Sequence, residues 1–276
     1  MNRTGLVLIL GILVIFSFLI VPVATDSANQ VPSALFHSAP NIREGSTSLN
    51  WAGYVVTASQ GAISRVDGSF TIPTVDTGGN SYASFWVGID GFNDGTVEQT
   101  GILAEPSGHG PHSSTEYLVW YEFYPSAPVY ASFTAAAGDI VHAFVNYSSF
   151  TNEFTTYIAV FTPSMTQVGT FGHTQLVSGA LDDSAEWIVE APSSVSGILP
   201  LANFGTAYFG SDYTPISLTN YVTISGVSGP ISSFSYQSIT MVTTNGTPEA
   251  TPSSLTADGT SFTVVYNQVT GHNLGR

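Results

Sequence analysis

The chain has 276 residues, and 19 carboxylates stand against four lysine and arginine residues, for a formal net charge of -15 at pH 7. Cysteine is absent, which excludes disulfides, thiolate nucleophiles and Cys-ligated zinc. The only cations besides histidine are Arg3, Arg43, Arg65 and Arg276, too few to neutralise phosphates, so nucleic acid is excluded as a partner and an acidic medium, where carboxylates take up protons, suits the chain best.

Arg3 precedes an uncharged apolar stretch from Leu6 to Ala24. A basic start, a long apolar middle and a closing small residue are the features of a signal peptide; the stretch is also near the roughly 20 residues that cross a bilayer. Residues 1–24 are therefore expected to be a signal peptide or an N-terminal membrane anchor, with membrane attachment through residues 6–24 left open. The remainder of the chain is expected outside the cytoplasm. Residues 25–48, rich in Ser, Asn, Pro and Ala, read as a linker or short pro-segment.

From Asn50 onward, short runs of Val, Ile, Thr, Tyr, Phe and Trp alternate with Gly, Ser, Asn, Asp and Pro. Strands are expected over 51–56, 63–72, 84–89, 117–124, 140–147, 155–161, 187–189, 202–209, 221–224, 236–242 and 261–266. Gly138-Asp139 and Asp258-Gly259 read as hairpin turns entering strands. No segment has a convincing helical period. The pattern implies an all-β domain over 49–267, a sandwich of two antiparallel sheets, with a polar tail at 268–276. Nothing suggests more than a monomer.

Four stretches concentrate the chemistry: Asn50-Trp51-Ala52-Gly53; Phe85 to Gly91 with Glu98-Gln99-Thr100-Gly101; Trp120 to Pro125; and Glu186 to Pro192. Strand alternation puts Glu186, Ile188 and Glu190 on one face, which is either solvated or lines a groove. Glu122 lies between Tyr121 and Phe123 in an aromatic strand, and Asp90-Gly91 alone reads as a turn. Competing chemistries have little support. No Gly-x-Ser-x-Gly elbow occurs. Only one Asp-Thr-Gly, at 76–78, is present, against the two that a paired-aspartate site needs. Of the histidines 37, 109, 112, 142, 173 and 272, only His109 and His112 have a spacing suited to a metal. No metal or organic cofactor is implied.

Taken together, these stretches resemble the glutamic peptidases, the eqolisin-type family, over about residues 49–267. Trp86-Val-Gly-Ile-Asp90-Gly91 matches the family's WVGIDG, and Gln99-Thr100-Gly101 its QTG. Trp120-Tyr-Glu122-Phe-Tyr-Pro125 is close to WYEWYP, and Ala185-Glu-Trp-Ile-Val-Glu190 matches AEWIVE. The resemblance implies a concanavalin A-like, jelly-roll-like sandwich and an acid-acting endopeptidase with polypeptide substrates. It also implies Glu190 and Gln99 as the catalytic pair, Asp90 and Glu122 as carboxylates that position it, and Trp51, Trp86, Trp120 and Tyr121 along a substrate groove. The sequence departs from the family at Leu118, at Glu98 and in the absence of lysine and cysteine. Two other readings stay open on the residues alone. One is a glycoside hydrolase using Glu122 and Glu190; the other is a non-catalytic binding module built around Trp51, Trp86 and Trp120.

Overall fold

The structure, a computed structural model, describes residues 35–37, 42–43, 47–108 and 114–268. Residues 1–34, with the expected signal or anchor, fall outside these, as do His109, His112 and the tail from 269. Among the described residues no helix is long and apolar enough to cross a membrane.

Two antiparallel sheets form the domain. The first has the order β19 (Tyr236–Val242), β4 (Trp51–Thr57), β13 (Ser184–Glu190), β6 (Ala83–Ile89), β7 (Val97–Ser107), β8 (Ser114–Tyr124) and β9 (Val129–Ala135). The second runs β12 (Gln167–Leu176), β11 (Glu153–Phe161), β10 (Ile140–Ser148) and β5 (Ile63–Thr71). Beside β5 lie β16 (Thr206–Phe209) and β17 (Tyr221–Ile224), which pair with its two ends. Through β21 (Phe262–Tyr266) and β20 (Pro248–Pro252) the second sheet reaches β19, so that one strand belongs to both. The short β18 (Val227–Pro230) pairs with β17, and β2 (Ile42–Arg43) and β3 (Thr47–Ser48) attach beside β19. The expected sandwich is therefore the fold.

Alternation along each strand makes the core. From the first sheet Tyr54, Val56, Phe85, Val87, Ile102, Val119, Phe123, Trp187 and Val189 point inward, and from the second Val66, Phe70, Val141, Val145, Phe154, Ile158 and Val160 meet them. Trp187 spans the layers: its Nε1 donates to the Asp67 carbonyl of β5 at 3.0 Å. Gly68 makes room for it, since a Cβ there would stand 2.4 Å from Val87 and 2.9 Å from the Trp187 ring.

The Gly138-Asp139 expectation needs correction. The turn is present, with the Asp139 N–H donating to the Ala136 carbonyl and its carboxylate accepting from the Ala136 N–H. It joins β9 of one sheet to β10 of the other, so it is a crossover between layers and not a hairpin.

A second, smaller apolar cluster covers the opposite, outer face of the first sheet: Trp51, Val55, Trp86, Val97, Leu103, Trp120, Tyr130, Ile188 and Ile239, with Leu35 from the amino-terminal segment. A small three-stranded sheet borders it, made of β1 (Leu35–Phe36), β14 (Ser193–Ser194) and β15 (Gly197–Ile198).

Candidate active site

The polar groups of interest all project from this outer face. β13 supplies Glu190, β6 Trp86, β7 Gln99, and β8 Trp120 with Glu122. Register aligns them in rows across the strands. Gln99 stands directly opposite Glu122 and next to Gly88, while Gly101 lies between Trp86 and Trp120. Only glycine fits there, because a Cβ on Gly101 would sit 2.2 Å from the Phe85 carbonyl oxygen and 2.5 Å from the Trp86 Cβ. Two bulky indoles can thus flank one position of the sheet. Glu190 is opposite Ser84 on β6, four residues along that strand from Gly88.

The hydrogen bonds tie these side chains into one network. Trp86 Nε1 donates to Glu190 Oε2 at 2.8 Å, and Trp51 meets Trp86 edge-on at 4.8 Å. Gln99 Nε2 donates to Glu122 Oε2 at 3.0 Å. His37 sits among them. Its N–H donates to Glu122 Oε2 at 3.2 Å, its carbonyl accepts from Gln99 Nε2 at 3.0 Å, and its Nδ1 lies 3.3 Å from Glu190 Oε2. The ring stacks on Trp120 with centroids 3.8 Å apart and planes within 4°. Gln99, Glu122, Glu190 and His37 are all fully buried. Burial, and then the neighbouring Glu190 carboxylate, push Glu122 well above the usual carboxylate range, against the pull of its bonds from His37 and Gln99.

The carboxamide and the two carboxyls therefore converge on a single residue. Gln99 Oε1 and Glu122 Oε1 take no hydrogen bond from the described residues. The arrangement can hold a peptide carbonyl on an amide donor beside a carboxylate. It offers less to a metal: among the described residues no group of three His, Asp or Glu is placed to hold one.

Three expected site residues take other places. Tyr121 is one residue out of phase with Trp120 and Glu122, so it points inward. There it stacks on His173 at 5.4 Å and packs against Phe171 at 5.1 Å. Its groove role is replaced by a packing role between the sheets. Asp90 comes just after β6 with φ of 68°, and its carboxylate accepts the N–H groups of Leu181, Asp182 and Asp183 at 2.8, 2.8 and 2.9 Å. It holds the segment that leads into β13 and so acts on the strand bearing Glu190, not on the side chains of the pair. Trp51 packs beneath Trp86 instead of facing a groove.

Sequence reasoning missed His37, whose segment has the composition of a linker. A Leu-Phe-His run ahead of the domain was the one available signal, and it has no periodicity. Glu186 was left between a solvated face and a groove; it is buried, as is Glu98.

Known proteins share this architecture. The Peptidase A4 family matches residues 49–266. Aspergillopepsin-2 of Aspergillus niger is 32% identical over 186 residues, which cover 59% of this chain and 62% of that protein. The match thus spans about three fifths of that relative's length. Among solved structures, scytalido-glutamic peptidase with a peptide-based transition state analog superposes with a TM-score of 0.60 at 22% identity, over 79% of this chain and 98% of that one. SCP-B, described as a member of the eqolisin family in a complex with the tripeptide Ala-Ile-His, gives 0.56 at 22% identity over 79% and 98%. Aspergilloglutamic peptidase from Aspergillus niger gives 0.52 at 27% identity over 68% and 99%.

Proposed function

Because the chain belongs to the Peptidase A4 family, we propose that it is a glutamic-type endopeptidase that hydrolyses polypeptides in acid, with Glu190 and Gln99 as its catalytic pair. The observation that carries this reading is the Gln99 amide donating to a backbone carbonyl at 3.0 Å, with Glu190 against the same residue.

In this mechanism Glu190 takes a proton from a water as that water attacks the scissile carbonyl, and later returns a proton to the leaving amine. Gln99 supplies an N–H to the oxygen on which negative charge develops. A neutral amide suits this task in acid because it has no proton to gain. Glu122 fixes the Gln99 rotamer through the bond to Nε2. Its raised pKa keeps it protonated while Glu190 works, so one negative charge occupies the site instead of two. Trp86 restrains Glu190 from the other side. The apolar leader and the acidic balance support action outside the cytoplasm.

A glycosidase using Glu122 and Glu190 is less favoured, since Glu122 is already engaged by Gln99 and the His37 backbone. The deciding assay measures cleavage of a denatured protein in acid by wild type, Glu190→Gln and Gln99→Ala. Each variant is expected to fold and to lose at least about a hundredfold in rate. Full activity in either rejects the pair. Pepstatin and EDTA are expected to leave the wild type active, and loss with EDTA alone would redirect attention to His109 and His112.

A further inference from the structure

Away from the candidate site, the outer face of the second sheet carries a charged pocket. Alternation along β5 turns Val66 into the core and Arg65 and Asp67 outward. Register places Arg65 beside Thr223 and Asp67 beside Tyr221 of β17. These four side chains, with Leu218 and with Ser228 of β18, line a cavity of about 190 Å³. Its charged wall is firmly held. Arg65 Nη2 donates to Asp67 Oδ2 at 2.8 Å, and His142 Nε2 of β10 lies 3.0 Å from Asp67 Oδ1. The guanidinium lies 3.9 Å from the centre of the Phe144 ring, which itself stacks on Tyr157 at 4.9 Å. One of the chain's four arginines is thus fixed in orientation. Its other N–H groups, and the hydroxyls of Tyr221, Thr223 and Ser228, take no partner among the described residues. Leu218 stands at the rim. It is 73% exposed and has φ of 55°, in the left-handed region that leucine rarely enters. Neither burial nor backbone preference accounts for a leucine there.

We infer that this pocket binds a neutral glycan, and that it tethers the protein to a polysaccharide while the Glu190 face stays free. The chemistry selects the ligand. Asp67 already matches the Arg65 charge, so an anion entering here would meet a carboxylate. A sugar hydroxyl both donates and accepts. It can therefore accept from the remaining guanidinium N–H groups and donate to Asp67, with three protein hydroxyls beside them. Leu218 and the Tyr221 ring supply apolar surface for the C–H face of a sugar. A polypeptide fits less well. Backbone pairing needs a free strand edge, and β17 has β5 on one side and β18 on the other. Position agrees with chemistry. The pocket and the Glu190 cluster lie on opposite outer faces of the sandwich, with the core between them. A polymer held here leaves the cleft open. The inference does not depend on the assignment of Glu190 and Gln99 above.

The test measures binding of the full chain to soluble β-1,3-glucan, mannan and starch by affinity electrophoresis. Glu190→Gln is run beside the wild type, and melting curves check that each variant folds. The expected result is retardation by at least one of the three, equal in wild type and Glu190→Gln. Arg65→Ala is expected to weaken binding at least about tenfold, the worth of a hydrogen bond from a charged donor. Leu218→Gly is expected to weaken it about fivefold through lost apolar contact. Glycine takes a positive φ without strain, so this variant is expected to melt close to wild type and carries the test if Arg65→Ala does not fold. Binding to none of the three would overturn the glycan. Retardation unchanged in Leu218→Gly and Arg65→Ala would overturn the pocket. Retardation lost in Glu190→Gln would place the polymer in the cleft and overturn a separate site. Retention of Glu190→Gln on an immobilised denatured protein, lost when Arg65→Ala is added, would make the occupant a polypeptide and also overturn the glycan.

Discussion

Two sets of buried carboxyls share the first sheet, and the fold treats them in opposite ways. Glu190 and Glu122 receive donors: Trp86 Nε1 on one, Gln99 Nε2 and the His37 N–H on the other. Glu98 has neither oxygen paired among the described residues, and Glu186 has only the Ser184 hydroxyl nearby, short of a hydrogen bond. Both are fully buried beside Asp90 and Asp94, and burial first, then these like charges, raise them well above the carboxylate range. A buried carboxylate is tolerable when it has donors and costly when it has none. The first set can therefore hold one charge, on Glu190, while burial and that neighbouring carboxylate keep the proton on Glu122. The second set is held protonated.

The largest effect expected from breaking this contrast is on the donor side. Glu122→Leu removes the acceptor that fixes Gln99, and a loss of about a hundredfold in kcat is expected, comparable with removing an oxyanion donor. Glu122→Gln keeps an acceptor oxygen and is expected to lose about tenfold at most. Steady-state kinetics on the two variants, with circular dichroism to confirm folding, checks this. Equal losses would mean that Glu122 acts by its proton and not by its grip on Gln99.

Next in size is the pH dependence of stability. Glu98, Glu186, Glu122, Asp90 and Asp182 all bind protons more tightly folded than unfolded, Asp90 and Asp182 with values raised to about 6 by burial. Their contribution is complete below the unfolded carboxylate range, near 4, and is lost as pH rises through the folded values. Tm is expected to fall by at least about 5 °C between about pH 4 and about pH 7. A flat or rising melting curve would contradict the burial argument. Glu98→Gln and Glu186→Gln cannot ionise, so each is expected to raise Tm at about pH 7 by about 2–4 °C and to change it little in acid. The smallest effect belongs to the inward face. Tyr121→Phe is expected to leave activity within about twofold, because the ring packs on His173 away from the site.

How much of the fold was legible in the sequence depends on how each element is buried. Strands with β-branched and aromatic runs were legible: 221–224 and 236–242 agree at both ends, and 63–72 and 140–147 within a residue. Three strands of seven or more residues escaped. Val97–Ser107 is buried through its first eight residues, including Glu98, Gln99 and Thr100, so a polar sequence lies in a covered position. Val129–Ala135 has alanine where a strand signal would be, and Gln167–Leu176 is an edge strand largely open to solvent with Gly169 and Gly172 within it. At the site, motif order brought out Gln99, Glu122, Glu190 and the tryptophans. The phase of Tyr121 was readable from alternation with Trp120, and the resemblance to a groove aromatic obscured it. Asp90 shows the limit of motif reading, for its three N–H partners come from a segment about ninety positions away. His37 was illegible because strand pairing with 193–194 and stacking on Trp120 are long-range contacts that leave no local pattern.

The central claim is that Gln99 and Glu190 serve one water as a unit, although they project from strands separated by β6. A double-mutant cycle on kcat with Gln99→Ala, Glu190→Gln and the combined variant measures this directly. Residues that act as a unit should leave the double variant about as slow as the slower single one. Losses that multiply, so that the double variant falls by the product of the single effects, would show two independent contributions and contradict the pair.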